Sequence, residues 1–558
     1  MRRSALVVVV VAAACGGGSP APADLVFRGG AIRTMEPARP TAEAVAVRDG
    51  RIVHVGTAAE AARLVGPATE VVDLAGRLLL PGFHDTHVHP VSGGIELGEC
   101  DLNPAGTLAD LERIIAACVA REPDAAWLRG GGFQLTLFAD GAPPRDLLDR
   151  LAPDRPAFLS SADGHTGWAN SRALEVAGVT RDTPNPPPDG LIVRRADGEA
   201  QGTLREAAMG LVTRQMPEHA DAQMRAGLER ALAMAASFGI TTLHEANAGE
   251  RSLRAYRAVE DAGGLTARVI VALSTDAARG ADQVADLVAL RERHRGRLVQ
   301  PVAAKLFVDG VIEGGTAALL EPYVDRPTFQ GELRWPPEVL TATVRALDAA
   351  GFKVHLHAIG DRAIQVSLDA LEAARAQDGG AGPRHVLAHI QLFDPADIPR
   401  FASLGAVASF QPLWAYADTY ITQLTEPRLG PARSRWLYPI RSVVATGAIV
   451  SAGSDWSVTT MDPLPAIEVG VTRRDPDAAA GDAWLPDERV DLETMIRLYT
   501  TGGAMAGDLE EVTGSITPGK SADLIVLDRN LFEIPPTAIS DARVLMTVFE
   551  GRVVYRRE

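Results

Sequence analysis

The sequence predicts an α/β chain: a (β/α)8 TIM-like barrel with a small β-sandwich built from both chain ends and an inserted subdomain. Three observations predict it. From about residue 82 to 505, short apolar runs ending in polar residues alternate with Ala/Leu/Arg-rich helical stretches, as in "AQMRAGLERALAMAASFG" before "ITTLHEA". That alternation is the pattern of parallel strands joined by helical crossovers. Segments at both chain ends alternate instead with period two, as antiparallel strands do. The middle span is also longer than the roughly 250 residues of a bare barrel, so extra chain is inserted, at about residues 100–230.

Taken in order, residues 1–23 read as an export signal and tether. "MRRSALVVVVVAAAC" carries two Arg, an apolar stretch and small residues running into Cys15, and "GGGSPAPA" follows. The apolar stretch is too short to span a bilayer as a helix. The layout resembles a bacterial lipoprotein signal, although Ala12 stands where such signals usually carry Leu. Two outcomes stay open: lipidation at Cys15, which implies a periplasmic or membrane-anchored lipoprotein, or plain secretion with cleavage nearby. The other two cysteines, Cys100 and Cys118, either pair or stay free.

Residues 24–80, with "DLVFRGGAIRTM", "AEAVAVRDGRIVHVG" and "TEVVDLAGRLLLPGF", join residues 506–558, with "GSITPGKSADLIVLDRN" and "ARVLMTVFEGRVVYRRE", as the expected β-sandwich. Residues 81–505 form the expected barrel. "KVHLHAIGD" after "PEVLTATVRALDAAGF" is one of its strand tips, and the Pro-rich "DTPNPPPDG" falls in the insertion.

A hydrophobic content of 46% and a charged content of 23% are ordinary for a globular chain. The formal net charge of −16 argues against nucleic acid or an anionic membrane surface as the main partner. A small-molecule substrate is expected, with membrane contact only through a lipid anchor; oligomeric state is not legible.

Barrels of this kind keep their reactive groups at the C-terminal tips of the strands. The tips here read "FHDTHVHP", "TLHEA", "AAKLFVDG", "VHLHAIGD", "VLAHIQ" and "SAGSDWS". His87 and His89 are two apart, so on a strand both imidazoles face one side and form half of a divalent metal site. His357 and His389 end later apolar runs, and Asp455 ends the last. Lysine is rare: three of the 55 Lys and Arg residues, Lys305, Lys353 and Lys520. Lys305 stands at a strand tip where a charge is costly to bury.

The ordered set "PGFHDTHVH", "SADGHTGWANS", "GITTLHEA", "KLFVDGVIEGGTA", "VHLHAIGD", "LAHIQ", "SAGSDWSV" and "GSITPGKSADLIVLD" resembles the amidohydrolase superfamily. The likeness is to its large metal-dependent branch with an inserted domain (amidohydrolase family 3, N-substituted formamide deformylase-like). It covers everything after the tether. It implies that His87, His89 and Asp455 hold one divalent metal and that His357 and His389 hold a second. Zinc is the expected ion; manganese and iron stay open. It also implies that Asp455 shuttles a proton and that Lys305, carboxylated by CO2, bridges the metals. A buried Lys can lose its proton whereas Arg cannot. The alternatives for Lys305 are an ion pair with Asp309 or another carboxylate, with Glu245 or Cys100 as the bridge.

By the same resemblance His165 is a substrate-side group and Trp168 a pocket wall, local packing being the other reading of each. His355 reads as an orienting neighbour of the ligands, His385 as structural, and Asp361 as an orienting or helix-capping group. His84 faces away, and His244 is pocket or core. Ala388 stands where the family often has Glu. The expected activity is hydrolysis of an amide or related C–N bond of a small molecule. A non-catalytic metal- or ligand-binding lipoprotein, or hydrolysis of an ester or cyclic amide, is the alternative.

Overall fold

The computed structural model describes residues 21–187, 189–379, 382–478 and 480–557. The expected export signal and Cys15 lie outside the described residues.

The barrel expectation is met. Eight strands form one parallel sheet: β1 (Phe83–Val88), β2 (Ile240–Ala248), β3 (Arg268–Ser274), β4 (Val299–Phe307), β5 (Lys353–Ala358), β6 (Val386–His389), β7 (Val407–Phe410) and β8 (Ile449–Ala452). Strands β1, β5, β6 and β7 are buried along their whole length, as parallel strands covered by helices must be. Main-chain bonds beyond the strands close the circuit between β8 and β1. Asp455 N–H donates to the His87 carbonyl at 2.7 Å, and His89 N–H donates to the Trp456 carbonyl at 2.9 Å. Below them the Thr86 and Ser451 hydroxyls meet at 3.1 Å.

Register decides which tips share a site. On β4 and β5, Lys305 pairs with His355 and Phe307 with His357. Side chains alternate along a strand, so Lys305, His355 and His357 all face one side. His389 sits one step further round, opposite Ala358 on β5.

The two chain ends build one sheet of eight strands, including Leu25–Arg33, Thr41–Arg48, Leu78–Pro81, Leu524–Leu527 and Val544–Phe549. One hydrogen-bonded strand order runs through the segments expected to form the sandwich. Leu78–Pro81 pairs antiparallel with Leu524–Leu527 and so ties the ends together. The run "RLLLPGF" is thus divided between two sheets. Gly82 is the joint: a Cβ there would stand 2.3 Å from the Thr241 hydroxyl.

The excursion after helix α1 (Pro90–Glu96) is a six-stranded sheet running from Cys100–Asp101 to Ala200–Arg205. Cys100 and Cys118 are paired as a disulfide, joining its first strand to helix Leu108–Arg121. Residues 221–230 already belong to the barrel helix α2 (Asp221–Ser237), which packs on α1. The two helices approach so closely that a Cβ at Gly94 would lie 1.9 Å from the Gly227 carbonyl oxygen.

Candidate functional site

His87 is the last buried imidazole of β1, and His89 begins the turn into α1. Nε2 of His89 lies 3.1 Å from Oδ1 of Asp455, and Nε2 of His87 lies 3.5 Å from the same oxygen. One donor atom from each of these three residues falls within 4.8 Å of the others. Asp455 reaches this place because its backbone takes a left-handed turn (φ 54°) directly after β8, a conformation that non-glycine residues adopt mainly where structure imposes it. Asp85 fixes that turn, accepting the Ser454 N–H at 2.9 Å and the Ser454 hydroxyl at 2.5 Å.

His87 is oriented from behind. Its Nδ1 lies 2.8 Å from Nε2 of His355, which leaves its Nε2 turned toward Asp455 and Lys305. Burial holds His87, His355 and His357 well below the usual imidazole range, and His389 down at about 3. These rings are therefore neutral, with lone pairs to offer. His89 differs: burial lowers it, but hydrogen bonds to Asp455 and Glu245 outweigh that and hold it up at about 9.

The second pair stands beside the first, the His357 and His389 ring centroids being 4.6 Å apart and those of His87 and His389 4.5 Å apart. His389 also takes a left-handed backbone (φ 73°), meets Gln411 Oε1 through its Nδ1 at 2.9 Å, and stacks on Trp414 at 5.7 Å. His357 Nδ1 lies 3.4 Å from Asp309. Asp309 accepts the main-chain N–H groups of Ala318, Ile359 and Gly360 at 2.9–3.0 Å, and burial pushes it up to about 7.

Lys305 is 1% exposed, and its Nζ lies 3.3 Å from His87 Nε2. Among the described residues no carboxylate comes within ion-pair distance of it; Asp309 is committed to main-chain donors instead. Burial pulls the amine down to about 7, against the opposing charges of Asp455 and Glu245. Of the rival bridging groups, Cys100 has no thiolate to give because it is disulfide-bonded. Glu245 is 3.6 Å from His89 Nδ1 and accepts the Tyr256 hydroxyl at 2.9 Å.

His87, His89, Lys305, His357, His389 and Asp455 line one cavity of about 610 Å³, to which the inserted sheet contributes Gly132, Ser160 and Ser161. His165 lies there, its ring 5.4 Å from that of His357 and its Nδ1 2.9 Å from Glu206. Trp168 does not. Its side chain is fully buried in the core of the inserted sheet, edge-on to Phe133 and Phe138, with Nε1 donating to the Pro144 carbonyl. The expectation of a pocket wall fails because strand Thr166–Ala169 turns alternate residues to opposite faces, and Trp168 takes the apolar one.

His385 accepts the Val354 N–H and faces Asp348 at 3.1 Å, a structural role. Asp361 accepts the Leu320 N–H at the start of its helix. His84 is buried with neither ring nitrogen bonded, and His244 has an unbonded Nε2. The sequence reading passed over Gln411, although it follows β7 as a polar strand tip. It also passed over Glu206 and Arg334, which pair with each other on the cavity wall while Arg334 also holds Asp189 at 2.5 Å. Nothing local in "GELRWPP" marks that arginine.

The model of the amidohydrolase family matches residues 70–555. The chain is 30% identical over 550 residues to the protein LONG AFTER FAR-RED 3 of Arabidopsis thaliana, covering 96% of this chain and 92% of that one. It is 29% identical over 555 residues to the N-substituted formamide deformylase of Arthrobacter pascens, covering 96% and 98%. Among solved structures, an uncharacterized metal-dependent hydrolase from Pyrococcus furiosus aligns with a TM-score of 0.70 and 25% identity, over 91% of this chain and 99% of that one. With the family model spanning nearly the whole chain and the strand-tip residues in place, this chain belongs to the amidohydrolase family.

Proposed function

We propose that this protein is a metal-dependent hydrolase that cleaves an amide or related C–N bond of a small molecule. The observation that carries the reading is the convergence of His87, His89 and Asp455, within 4.8 Å of one another, on a cavity that also receives His357, His389 and Lys305. The donor set fits a divalent ion: imidazoles, with His87, His357 and His389 held neutral by burial, and one carboxylate suit zinc, and a bound ion would displace the proton that His89 shares with Asp455 and Glu245. His87, His89 and Asp455 would hold one ion and His357 and His389 a second. Such ions, when bound, polarise a scissile carbonyl and make water a nucleophile near neutral pH.

The chain's own groups do the rest. Asp455 accepts a proton from the attacking water and returns it to the leaving nitrogen. His355 and Gln411 hold the rings of His87 and His389 in position, as partners of metal-bound histidines do. His165, fixed by Glu206, presents its ring to the substrate. Lys305 is proposed to react with CO2: a bond forms from Nζ to carbon as one C=O π bond opens, one N–H proton is released, and the resulting carbamate would add an anionic donor to the residues that hold the metal. An amine brought down to about 7 by burial, with no carboxylate within ion-pair distance among the described residues, supports that step.

The relative named N-substituted formamide deformylase supports an amide substrate. An exported location, with or without lipid on Cys15, is proposed on the N-terminal residue pattern and is supported by the Cys100–Cys118 disulfide, since disulfides persist in oxidising compartments. No helix among the described residues is long and apolar enough to cross a membrane.

A panel of N-formyl and N-acetyl amines, incubated with zinc-loaded and chelator-stripped protein, tests the activity. Release of free amine by the loaded protein alone is expected; no release from any amide under either condition would leave a ligand-binding protein on this barrel.

A further inference from the structure

We infer that the site selects molecules carrying a positively charged ammonium group, held in an acidic, aromatic side chamber next to the His357–His389 pair. The inference deepens the hydrolase reading and rests on it for which bond is cut.

The chamber has a volume of about 150 Å³ and opens from the main cavity, sharing His165, His357, His389 and Asp455 with it. That volume is close to that of an apolar cavity able to hold a benzene-sized group. Trp414, whose ring is already stacked on His389, forms one wall; Tyr420, Tyr438 and Ile421 form others. Besides Asp455, three carboxylates, Asp163, Glu313 and Asp418, line the same space, which has no lysine or arginine in its described lining.

None of the three has a cationic partner within 4 Å among the described residues. Glu313 takes Gln391 Nε2 at 2.8 Å and the Thr425 hydroxyl at 2.6 Å, both on Oε1, so Oε2 receives no donor. Asp418 takes the Ile421 N–H at 2.7 Å. Asp163 binds the Ser161 hydroxyl and the His165 N–H through Oδ1, and its Oδ2 is buried with no hydrogen-bond partner. The arginines behind the wall are spent on main-chain oxygens: Arg205 on Gly314, Arg326 on Gly315 and Arg473 on Tyr438.

The three residues are half-buried, and the one fully buried bare oxygen is Oδ2 of Asp163; a carboxylate partly withdrawn from water and left without a counter-charge carries a cost. A bound cation relieves that cost, and indole and phenol faces attract the same charge through their quadrupoles. An anion or a neutral polar group gains neither. The opposite wall differs, because Arg334 there is already neutralised by Asp189 and Glu206. The substrate class that fits is an amide whose substituent, a few carbons from the scissile bond, ends in an ammonium group.

The test is calorimetric binding of choline, whose quaternary nitrogen cannot ligate a metal, against its uncharged carbon isostere 3,3-dimethylbutan-1-ol, which carries the same hydroxyl, using the full zinc-loaded chain. Choline is expected to bind at least tenfold more tightly. Glu313→Gln and Asp418→Asn should each cut that ratio several-fold while leaving the isostere's affinity in place; loss of both ligands in parallel would mark a structural role and overturn the inference. Equal binding of the two ligands by the parent protein would also overturn it. An ammonium preference without hydrolysis of any amide would remove the hydrolase reading and keep the chamber; amide hydrolysis without the preference would do the reverse.

Discussion

The Nζ atom of Lys305 stands 3.3 Å from Nε2 of His87, inside the strand-tip cluster and outside ion-pair distance of every described carboxylate. A lysine used as a plain charge would be matched there by a carboxylate. This one meets the His87 imidazole and the Phe307 ring, 4.6 Å from its Nζ, and burial outweighs the charges of Asp455 and Glu245, which favours the free amine.

If that amine becomes a carbamate ligand, Lys305→Ala should lose most bound metal and activity. Added propionate should restore part of both, because a small carboxylate fits the space the side chain leaves. Lys305→Arg should not be rescued, since the guanidinium fills that space and stays charged. Metal content and turnover with and without propionate check this; an alanine variant that keeps full metal and activity contradicts it.

Asp455→Asn preserves shape but removes the proton acceptor. A fall in kcat of roughly 10²- to 10⁴-fold is expected, the range of general acid–base contributions. Weaker metal retention should accompany it, because one donor of the His87–His89–Asp455 set becomes an amide. Steady-state kinetics at saturating zinc separate the two effects.

His355 touches His87 at 2.8 Å, and no ligand role is assigned to it. His355→Ala should weaken metal affinity by about 10- to 100-fold, the usual cost of removing an orienting partner. His355→Gln, which can still donate a hydrogen bond, should recover part of the loss. Competitive chelator titration reads both variants.

Trp168 belongs to a core. Trp168→Ala should destabilise the inserted sheet by about 3–5 kcal/mol, as large aromatic truncations do, without altering KM for small amides below the unfolding temperature. A selective rise in KM with unchanged melting would put the residue back in the pocket.

Burial pushes Asp462 up to about 6, with its side chain capping the helix that starts at Pro463. The folded chain therefore holds this proton more tightly than the unfolded chain does. The stabilising contribution is present in full below the ordinary Asp value and is lost as pH rises through about 6. Asp462→Asn keeps the cap and removes the charge, so it should raise Tm more at pH 7.5 than at pH 4. Equal shifts at the two pH values would exclude this.

The barrel was legible because its signal is redundant: short strand segments alternate with helical stretches along the whole span, and most strand tips carry a reactive group. The metal-site candidates were legible for the same reason, His87 and His89 through strand periodicity. Other features depend on distant chain meeting in space. The division of "RLLLPGF" at Gly82 sets that glycine against Thr241, more than 150 residues away, where a Cβ would not fit, and no local pattern reveals it. Trp168 was misread because "SADGHTGWANS" does not show which face of its strand meets the cavity. Arg334 acquires its place only through pairing with Asp189 and Glu206 in the inserted region.

The most direct test of the central claim is the metal content of the purified full chain, measured by inductively coupled plasma mass spectrometry after growth with supplemented zinc and removal of loose metal. The account predicts about two equivalents per chain, falling sharply in a variant with both His87 and His89 replaced by alanine. A parent chain that holds no tightly bound divalent metal under these conditions would contradict it.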